Sequence, residues 1–265
     1  MKTLTQKYTF DSKGLLKFAI DIAKRSAEAI IKSNNHEIAK YKSCELNFTT
    51  YADQRSESII KKMILAIRPH DGLLGEEGSY NISRSGLRWV IDPLDGTVNY
   101  YYGIPHWAIS ISCEEQEKNI WHRKIAVVYD VLKNELFTAI HNRGAFLNGI
   151  PIGVSKQAKL SNALIATEFS YYREARILQA TLFANLLPQI RDMRNTGSSA
   201  LDLCWLAAGR FDGFYENELF PWDWSAASLI VEEAGGIVSN FGTGVIAGTP
   251  EIHKNLISLL CSECN

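Results

Sequence analysis

The stretch Trp89-Val90-Ile91-Asp92-Pro93-Leu94-Asp95-Gly96-Thr97-Val98-Asn99 sets both the architecture and the chemistry of this chain. Three apolar residues deliver Asp92 to the end of a predicted strand. Pro93 has no N–H to give a ladder, so the strand is expected to stop and turn there. Asp92 and Asp95 then project to one side, and Gly96 allows a close backbone approach. Thr97 and Asn99 fall at the start of the next element. If that element is a helix, its free N–H groups make a natural place for a phosphate. Two carboxylates beside a phosphate repel one another, and a divalent cation resolves the conflict. Hard oxygen ligands suit magnesium. Asp-Pro and Asp-Gly are ordinary turn dipeptides singly, but six residues in this order behind a strand are more than a turn.

Working outward, two further acidic segments can complete a metal site. Leu74-Gly75-Glu76-Glu77-Gly78 places adjacent acids after a short apolar run. Pro221-Trp222-Asp223-Trp224-Ser225-Ala226-Ala227 reads as a helix start, with Asp223 matching the positive end of the helix dipole. Each alone has a plain alternative, a solvated acidic loop in the first case and a helix cap in the second. Trp222 and Trp224 read as packing residues that fix this helix start, and His106, His122 and His141 as surface or satisfied histidines.

Upstream, Asp11 or Ser12 caps a first helix with apolar residues at Leu15, Ala19, Ile22, Ala23, Ala27 and Ile30. A polar stretch from Lys32 to Asn47 comes next. Thr50 and Asp53 form a capping pair for a second helix through Ile59, Ile60, Met63, Ile64 and Ile67, closed by Arg68-Pro69-His70-Asp71-Gly72. The middle reads as strands at Arg88–Ile91, Trp107–Cys113, Ile125–Tyr129, Glu135–Ile140 and Ala145–Leu147, with turns at Asn134 and Asn148-Gly149. Beyond it, strands at Ala163–Phe169, Phe211–Tyr215, Gly236–Ser239 and Val245–Ala247 alternate with helices through Ile177 to Leu186, Ser198–Ala208, Trp222–Ala234 and from Pro250. This order implies an α/β (α+β) fold of layered sheets covered by helices. A soft boundary at Ile150–Lys156 separates residues 1–154, with most candidate metal ligands, from 155–265, with Asp223 and the substrate-side residues.

The bulk numbers narrow the function classes. The 265 residues fit one large domain or two tightly packed ones, and 46% hydrophobic content suffices for a core. Lys and Arg number 28 against 29 Asp and Glu, which gives no sign of a polyanion-binding face. Met1 to Asp11 has no apolar signal-peptide region, and no apolar run is long enough to cross a bilayer. Cys44, Cys113, Cys204, Cys261 and Cys264 are an odd, scattered set that suits reduced thiols and a cytoplasmic location; the terminal Cys261/Cys264 pair reads as a non-site.

Taken together and in this order, the Gly75-Glu76-Glu77, Asp92-Pro93-Leu94-Asp95-Gly96-Thr97 and Trp222-Asp223 elements, with Glu232-Glu233-Ala234-Gly235-Gly236, resemble the inositol monophosphatase family. Thr50-Tyr51-Ala52-Asp53-Gln54, the Gly144–Gly149 segment, Arg194 and Gly197-Ser198-Ser199-Ala200-Leu201-Asp202 extend the resemblance over most of the chain. It implies an α-β-α-β-α sandwich of the sugar-phosphatase type. It implies magnesium, about two or three ions per site, held by Glu76, Asp92, Asp95, Asp223 and the Leu94 carbonyl. It further implies that Glu76, Asp95, Thr97 and Asp53 act in catalysis, with Thr97 oriented by Asp53 to help deprotonate the attacking water. Asp95, Gly96, Thr97, Gly197, Ser198, Ser199, Glu216 and Asp223 are implied to face the substrate, and Lys42 to shield phosphate charge at the entrance loop.

The chain departs from the family pattern at Asn47, where an Asp is frequent, at Ala227-Ser228 for the usual Ala-Gly, and at Val98 and Tyr100 for Thr and Phe. None is a metal ligand; all bear on the alcohol pocket and entrance loop. The expected activity is hydrolysis of a small polyol phosphate, inositol monophosphate first, by direct attack of water, since no Ser-His-Asp arrangement is apparent for a covalent phosphoenzyme and the Cys204-x5-Arg210 spacing begins inside a predicted helix rather than in a phosphate loop. Fructose 1,6-bisphosphate, NADP, a 3′-phosphonucleotide and histidinol phosphate remain open as substrates, and an interaction protein in RNA metabolism is the reading from another class. The resemblance also implies lithium sensitivity and a homodimer.

Overall fold

A computed structural model describes residues 11–33 and 35–262, with side chains up to Leu260. The polar start Met1–Phe10 and Cys264 lie outside the described residues, as does the side chain of Cys261. Helices α1 (Ser12–Ser33) and α2 (Tyr51–Ile67) flank a hairpin of β1 (Ile38–Tyr41) and β2 (Phe48–Thr50). The chain continues through β3 (Gly72–Gly75), β4 (Tyr80–Asn81), β5 (Leu87–Asp95), a one-turn α3 (Thr97–Tyr101), β6 (Ala108–Glu117), β7 (Ile120–Asp130), β8 (Glu135–Ile140), β9 (Ala145–Leu147) and β10 (Ile150–Pro151). The remainder comprises β11 (Leu164–Ala166), α4 (Arg173–Leu186), β12 (Asp192–Arg194), α5 (Ser199–Ala207), β13 (Gly213–Glu216), α6 (Pro221–Glu233), β14 (Ile237–Phe241), β15 (Gly244–Gly248) and α7 (Pro250–Ser262).

Strand alternation builds the layers. In β7, Ile125 and Val127 point into a core with Leu15, Phe18, Ile22 and Ile30 of α1 and Ile60 and Ile64 of α2. Their neighbours Ala126 and Val128 point the other way, against α5 and α6. The second sheet repeats the device. Phe214, Val245 and Ala247 join the α5–α6 core, while Tyr215 and Ile246 face Ile252, Leu256 and Leu260 of α7. With a side-chain period of two, each sheet buries both faces and needs a helical layer on each. The result is the expected α-β-α-β-α sandwich. Its first sheet has eight strands in the order β10-β9-β8-β7-β6-β5-β3-β4, and its second has five, β12-β11-β13-β15-β14.

Several sequence expectations need adjustment. The β5 strand does not end at Ile91 but continues through Pro93 to Asp95, because a register shift absorbs the proline: Asp92 pairs with Ser110 and Asp95 with Ala108. Three steps on β5 thus match two on β6, a bulge that turns Asp95 to the same face as Asp92. The Ala163–Phe169 strand is shorter, confined to Leu164–Ala166, and Phe211–Tyr215 shifts to Gly213–Glu216. The polar Lys32–Asn47 stretch contains β1, and the short run before Glu76 is β3, parallel to β5. Both are too short for a hydrophobic period to register. Asn134, Asn148 and Gly149 do adopt the positive φ that their turns require. In α4, Ile177 and Leu178 are exposed; the helix buries Gln179 and Leu186 instead.

Trp89, fully buried, stands edge-on to Phe18 at 5.8 Å and donates Nε1–H to Asp71 Oδ2 at 2.9 Å. Replacing it with Phe removes volume and one charge-assisted donor. Trp89→Phe is expected to cost about 2–4 kcal/mol, read as a lower urea midpoint with an unchanged slope. A midpoint equal to that of the unsubstituted chain would show that the indole contributes no packing or hydrogen bonding of consequence.

Candidate functional site

The site forms where β5 runs out between the two sheets. Ser56 of α2 donates to the Pro93 carbonyl at 2.7 Å and shares a 2.6 Å hydrogen bond with Ser26 of α1, pinning the bulge from below. Asp92 folds back to accept from the Leu94 amide at 3.0 Å. Gly96 has φ +95°, and a Cβ there would meet the Gly197 and His106 carbonyls at 3.1 Å. Its small size therefore serves the close approach of the chain's own second half, in addition to any bound group. Asn99 fastens that approach by donating to the carbonyls of His106 and Thr196, both at 2.8 Å. The helix after Gly96 is a single turn of five residues, Thr97–Tyr101.

Asp95 reaches across to the start of α5. Its Oδ2 accepts from Ser198 Oγ at 2.5 Å and from the Ala200 amide at 2.8 Å. Ser198 is also the N-cap of that helix, with Oγ accepting from Leu201 N at 3.3 Å. Ser199 donates to Glu216 Oε2 at 2.9 Å, at the end of β13. Glu216 is thus a buried strand-end acid, not a surface one.

Glu76 and Glu77 sit on the turn after β3. No local pattern in the sequence marks what holds that turn. Glu57 of α2 accepts from the amides of Glu77 and Ser79, both at 2.8 Å, and a Cβ on Gly75 would strike its carboxylate at 2.7 Å. Lys42 lies 2.8 Å from Glu76 Oε1 and 2.6 Å from Glu77 Oε1, the latter an ion pair without hydrogen-bond alignment. Burial lowers the Lys42 pKa, but the two carboxylates outweigh it and hold the ammonium charged. Asp223 lies in the first turn of α6, and its Oδ2 accepts from the Phe220 amide at 2.7 Å, so it is a helix cap as well. Trp222 stacks on Phe220 at 5.0 Å beside it, and Trp224 lies under the Arg123 guanidinium.

These carboxylates face one another. Burial, then the charges of Glu76, Asp95 and Asp223, push the Asp92 pKa well up, and Glu76 is close enough to share a proton with it. Burial and Glu76 do the same to Asp223. Asp95 is pushed up to about 7 by burial against the opposing pull of Ser198 and Ala200. Among the described residues no three of them are closed into a ready metal cage, since Glu76 is turned toward Lys42. The donor set nevertheless fits a hard divalent cation: carboxylate oxygens that repel one another when ionised, with the Leu94 carbonyl on the same bulge.

Beside them Thr97 Oγ1 donates to Asp53 Oδ1 at 2.8 Å and approaches the Leu94 carbonyl at 3.2 Å. Asp53 Oδ2 completes the capping box on Thr50, accepting from its hydroxyl and from its amide at 2.8 Å. Burial raises the Asp53 pKa to about 7 despite these donors. Arg194 turns away to pair with Asp192 at 2.6 Å.

Residues to which sequence reasoning assigns no role also line this region. Glu168 accepts from the Thr196 and Gly197 amides at 3.1 and 2.7 Å, and Asp202 accepts from Thr196 Oγ1 at 2.6 Å. Tyr171 overhangs the carboxylates. Burial of its hydroxyl end, then Glu76, Asp223 and Asp95, raise its pKa, although the residue as a whole is 38% exposed. No motif flags Glu168 or Tyr171, whereas Asp202 closes the Gly197–Asp202 stretch that resembles the family, without a role assigned to it there. His106 is a satisfied, buried histidine, as expected. Among the described residues no helix is long and apolar enough to cross a membrane.

Similarity to known proteins agrees with this geometry. A family model described as "Inositol monophosphatase family" matches residues 11–262. The chain is 35% identical over 266 residues to "Nus factor SuhB" of Escherichia coli (strain K12), covering 94% of this chain and 96% of that protein. Among solved structures, the extragenic suppressor protein suhB of Bartonella henselae superposes with a TM-score of 0.85 at 32% identity, covering 93% of this chain and 98% of that one. An inositol monophosphatase from Anabaena (Nostoc) sp. PCC 7120 gives 0.82 at 30% identity, with 94% and 96% covered. Fold, sequence and the convergence of the acidic segments lead to one statement: this chain belongs to the inositol monophosphatase family.

Proposed function

We propose that this protein is a magnesium-dependent phosphomonoester hydrolase acting on a small polyol phosphate, inositol monophosphate first, by direct attack of water. The observation that carries the reading is the meeting of four carboxylates from three distant segments, Glu76, Asp92 with Asp95, and Asp223, beside the Thr97–Asp53 hydrogen bond. Glu76, Asp92, Asp95, Asp223 and the Leu94 carbonyl are the residues that would hold the cations. Bound there, divalent cations supply Lewis acidity and neutralise negative charge.

The chain's own residues supply the rest. Thr97 gives its proton to Asp53, which leaves its oxygen lone pairs free to accept a hydrogen bond from water. As that water attacks phosphorus, its proton passes to Thr97 Oγ1 while the Thr97 proton moves to Asp53 Oδ1. Asp53, with a pKa of about 7, is matched to take a proton near neutral pH. The P–O bond to the alcohol breaks, and the alkoxide leaves with a proton from solvent. Gly197, Ser198, Ser199 and Glu216 face the alcohol portion, where buried Glu216 accepts hydrogen bonds from hydroxyls.

Phosphate release with magnesium tests this on inositol 1-phosphate, fructose 1,6-bisphosphate, NADP, adenosine 3′,5′-bisphosphate and histidinol phosphate. Inositol 1-phosphate is expected to give the highest kcat/KM, with loss of release in chelator and inhibition by lithium. Absence of release from all five with magnesium present would sink the proposal; indifference to lithium would remove only the lithium-sensitive assignment. A second reading, an interaction role in RNA metabolism, is supported by the relatives called Nus factor SuhB. It predicts a cellular phenotype that survives Asp95→Asn.

A further inference from the structure

Behind the substrate-side turn runs a chain of hydrogen bonds whose direction is fixed at one end. Lys133 can only donate. Its ammonium meets three acceptors, Asp130 Oδ2 at 2.8 Å, His106 Nδ1 at 3.1 Å and the Pro105 carbonyl at 3.4 Å. His106 Nδ1 must therefore carry a bare lone pair, and the ring proton of the neutral imidazole belongs on Nε2. Nε2 lies 2.8 Å from Thr196 Oγ1 and donates to it. Thr196, receiving there, sends its own hydroxyl proton to Asp202 Oδ1 at 2.6 Å.

Asp202 Oδ2 is buried with no donor aimed at it, and the neighbouring Glu168 charge, after burial, pushes the Asp202 pKa up. Glu168 in turn holds the Thr196 and Gly197 amides. The donor direction thus runs one way from Lys133 through His106 and Thr196 to Asp202.

We infer that His106, held as its Nε2–H tautomer by Lys133, is a positioning residue that fixes the Thr196–Gly197 turn through the Thr196 hydroxyl and so sets how tightly the alcohol part of the substrate is held. This rests on the phosphatase reading for its substrate, though not for its hydrogen-bond direction. Burial, and after it the neighbouring Lys133 charge, push the His106 pKa down to about 4, so the ring is neutral at ordinary pH. The Lys133 and Asp130 charges face it from the β7–β8 turn, and Trp205 of α5 packs edge-on at 5.0 Å. The next residue after the turn, Ser198, is the one that donates to Asp95. Ser199 beyond it donates to Glu216, which faces the alcohol, and with Asp95 also held by the Ala200 amide a displaced turn loosens the alcohol contacts more than the Asp95 carboxylate.

Two measurements test the inference. In imidazole-labelled protein, 15N NMR is expected to show His106 with Nε2 protonated and Nδ1 bare at neutral pH, and Lys133→Met is expected to release that preference. A His106 protonated at Nδ1 in the unsubstituted chain overturns the inference. In kinetics with inositol 1-phosphate and magnesium, Thr196→Val is expected to raise KM about tenfold with kcat changed less than about threefold, while Thr196→Ser restores both. His106→Gln, which keeps a donor at the Nε2 position, is expected to behave like Thr196→Ser, and His106→Leu like Thr196→Val. A Ser variant as impaired as Val, or equal loss in kcat and kcat/KM, overturns it. Should the unsubstituted chain release no phosphate from any of the five substrates, the phosphatase reading falls and the NMR result alone decides the hydrogen-bond direction.

Discussion

Asp95→Asn is expected to reduce phosphate release by at least about 10³-fold at saturating magnesium while the protein stays folded. Such a loss corresponds to about 4 kcal/mol of transition-state stabilisation. Asp95 stands in the first half of the chain and hydrogen-bonds to the second through Ser198 and Ala200. An amide in its place keeps an oxygen for the Ala200 N–H but loses the negative charge that a cation ligand needs. It also removes one of several buried charges that repel one another. Metal-free Asp95→Asn is accordingly expected to melt no lower than the unsubstituted chain. Turnover within tenfold of the unsubstituted chain, with magnesium saturating, would remove Asp95 from the ligand set.

How far such a site can be read from sequence depends on where its residues lie. Asp92, Asp95 and Thr97 stand in one short run behind a strand, so local chemistry announces them. Thr50 and Asp53 are legible as a capping box, but a cap says nothing of the Thr97 hydroxyl that reaches the same carboxylate from the far side of the site. Glu57 stays hidden because its partners are backbone amides twenty residues away on a turn. The bulge at Pro93 reads as a turn in one dimension, since a missing N–H is compatible with either outcome and only pairing with β6 decides. The layer order is legible because both sheets are buried on both faces. The exposed Ile177 and Leu178 of α4 show that helical spacing alone does not say which face is covered.

The stability of the metal-free protein is expected to fall as pH rises from about 5 to 8, opposite to the usual acid-sensitive trend. Asp53, Asp95 and Glu168 each have folded pKa values of about 7, raised chiefly by burial above the ordinary carboxylate range. In the unfolded chain they ionise near pH 4. Between those values the folded state binds more protons than the unfolded one, so stability declines with pH, by as much as about 1.4 kcal/mol per pH unit for each group. Neighbouring groups share protons and the site relaxes, so the combined loss is on the order of 2–5 kcal/mol across the window. Asp92, Glu216, Asp202 and Asp223 are shifted in the same direction, chiefly by burial. Salt screens enclosed groups weakly, so the trend should persist in about 0.15 M salt. A cation that binds the ionised carboxylates offsets the penalty by mass action, and most strongly where they have lost their protons. Thermal melts in chelator and in magnesium at pH 5 and pH 8 check both halves of the prediction. In chelator the midpoint should be lower at pH 8, and magnesium should raise it more at pH 8 than at pH 5. A midpoint in chelator that is level or rises across this range would mean that the carboxylates carry their charge in the folded protein without cost. The cluster would then lack the mutual repulsion from which its affinity for a divalent cation is argued.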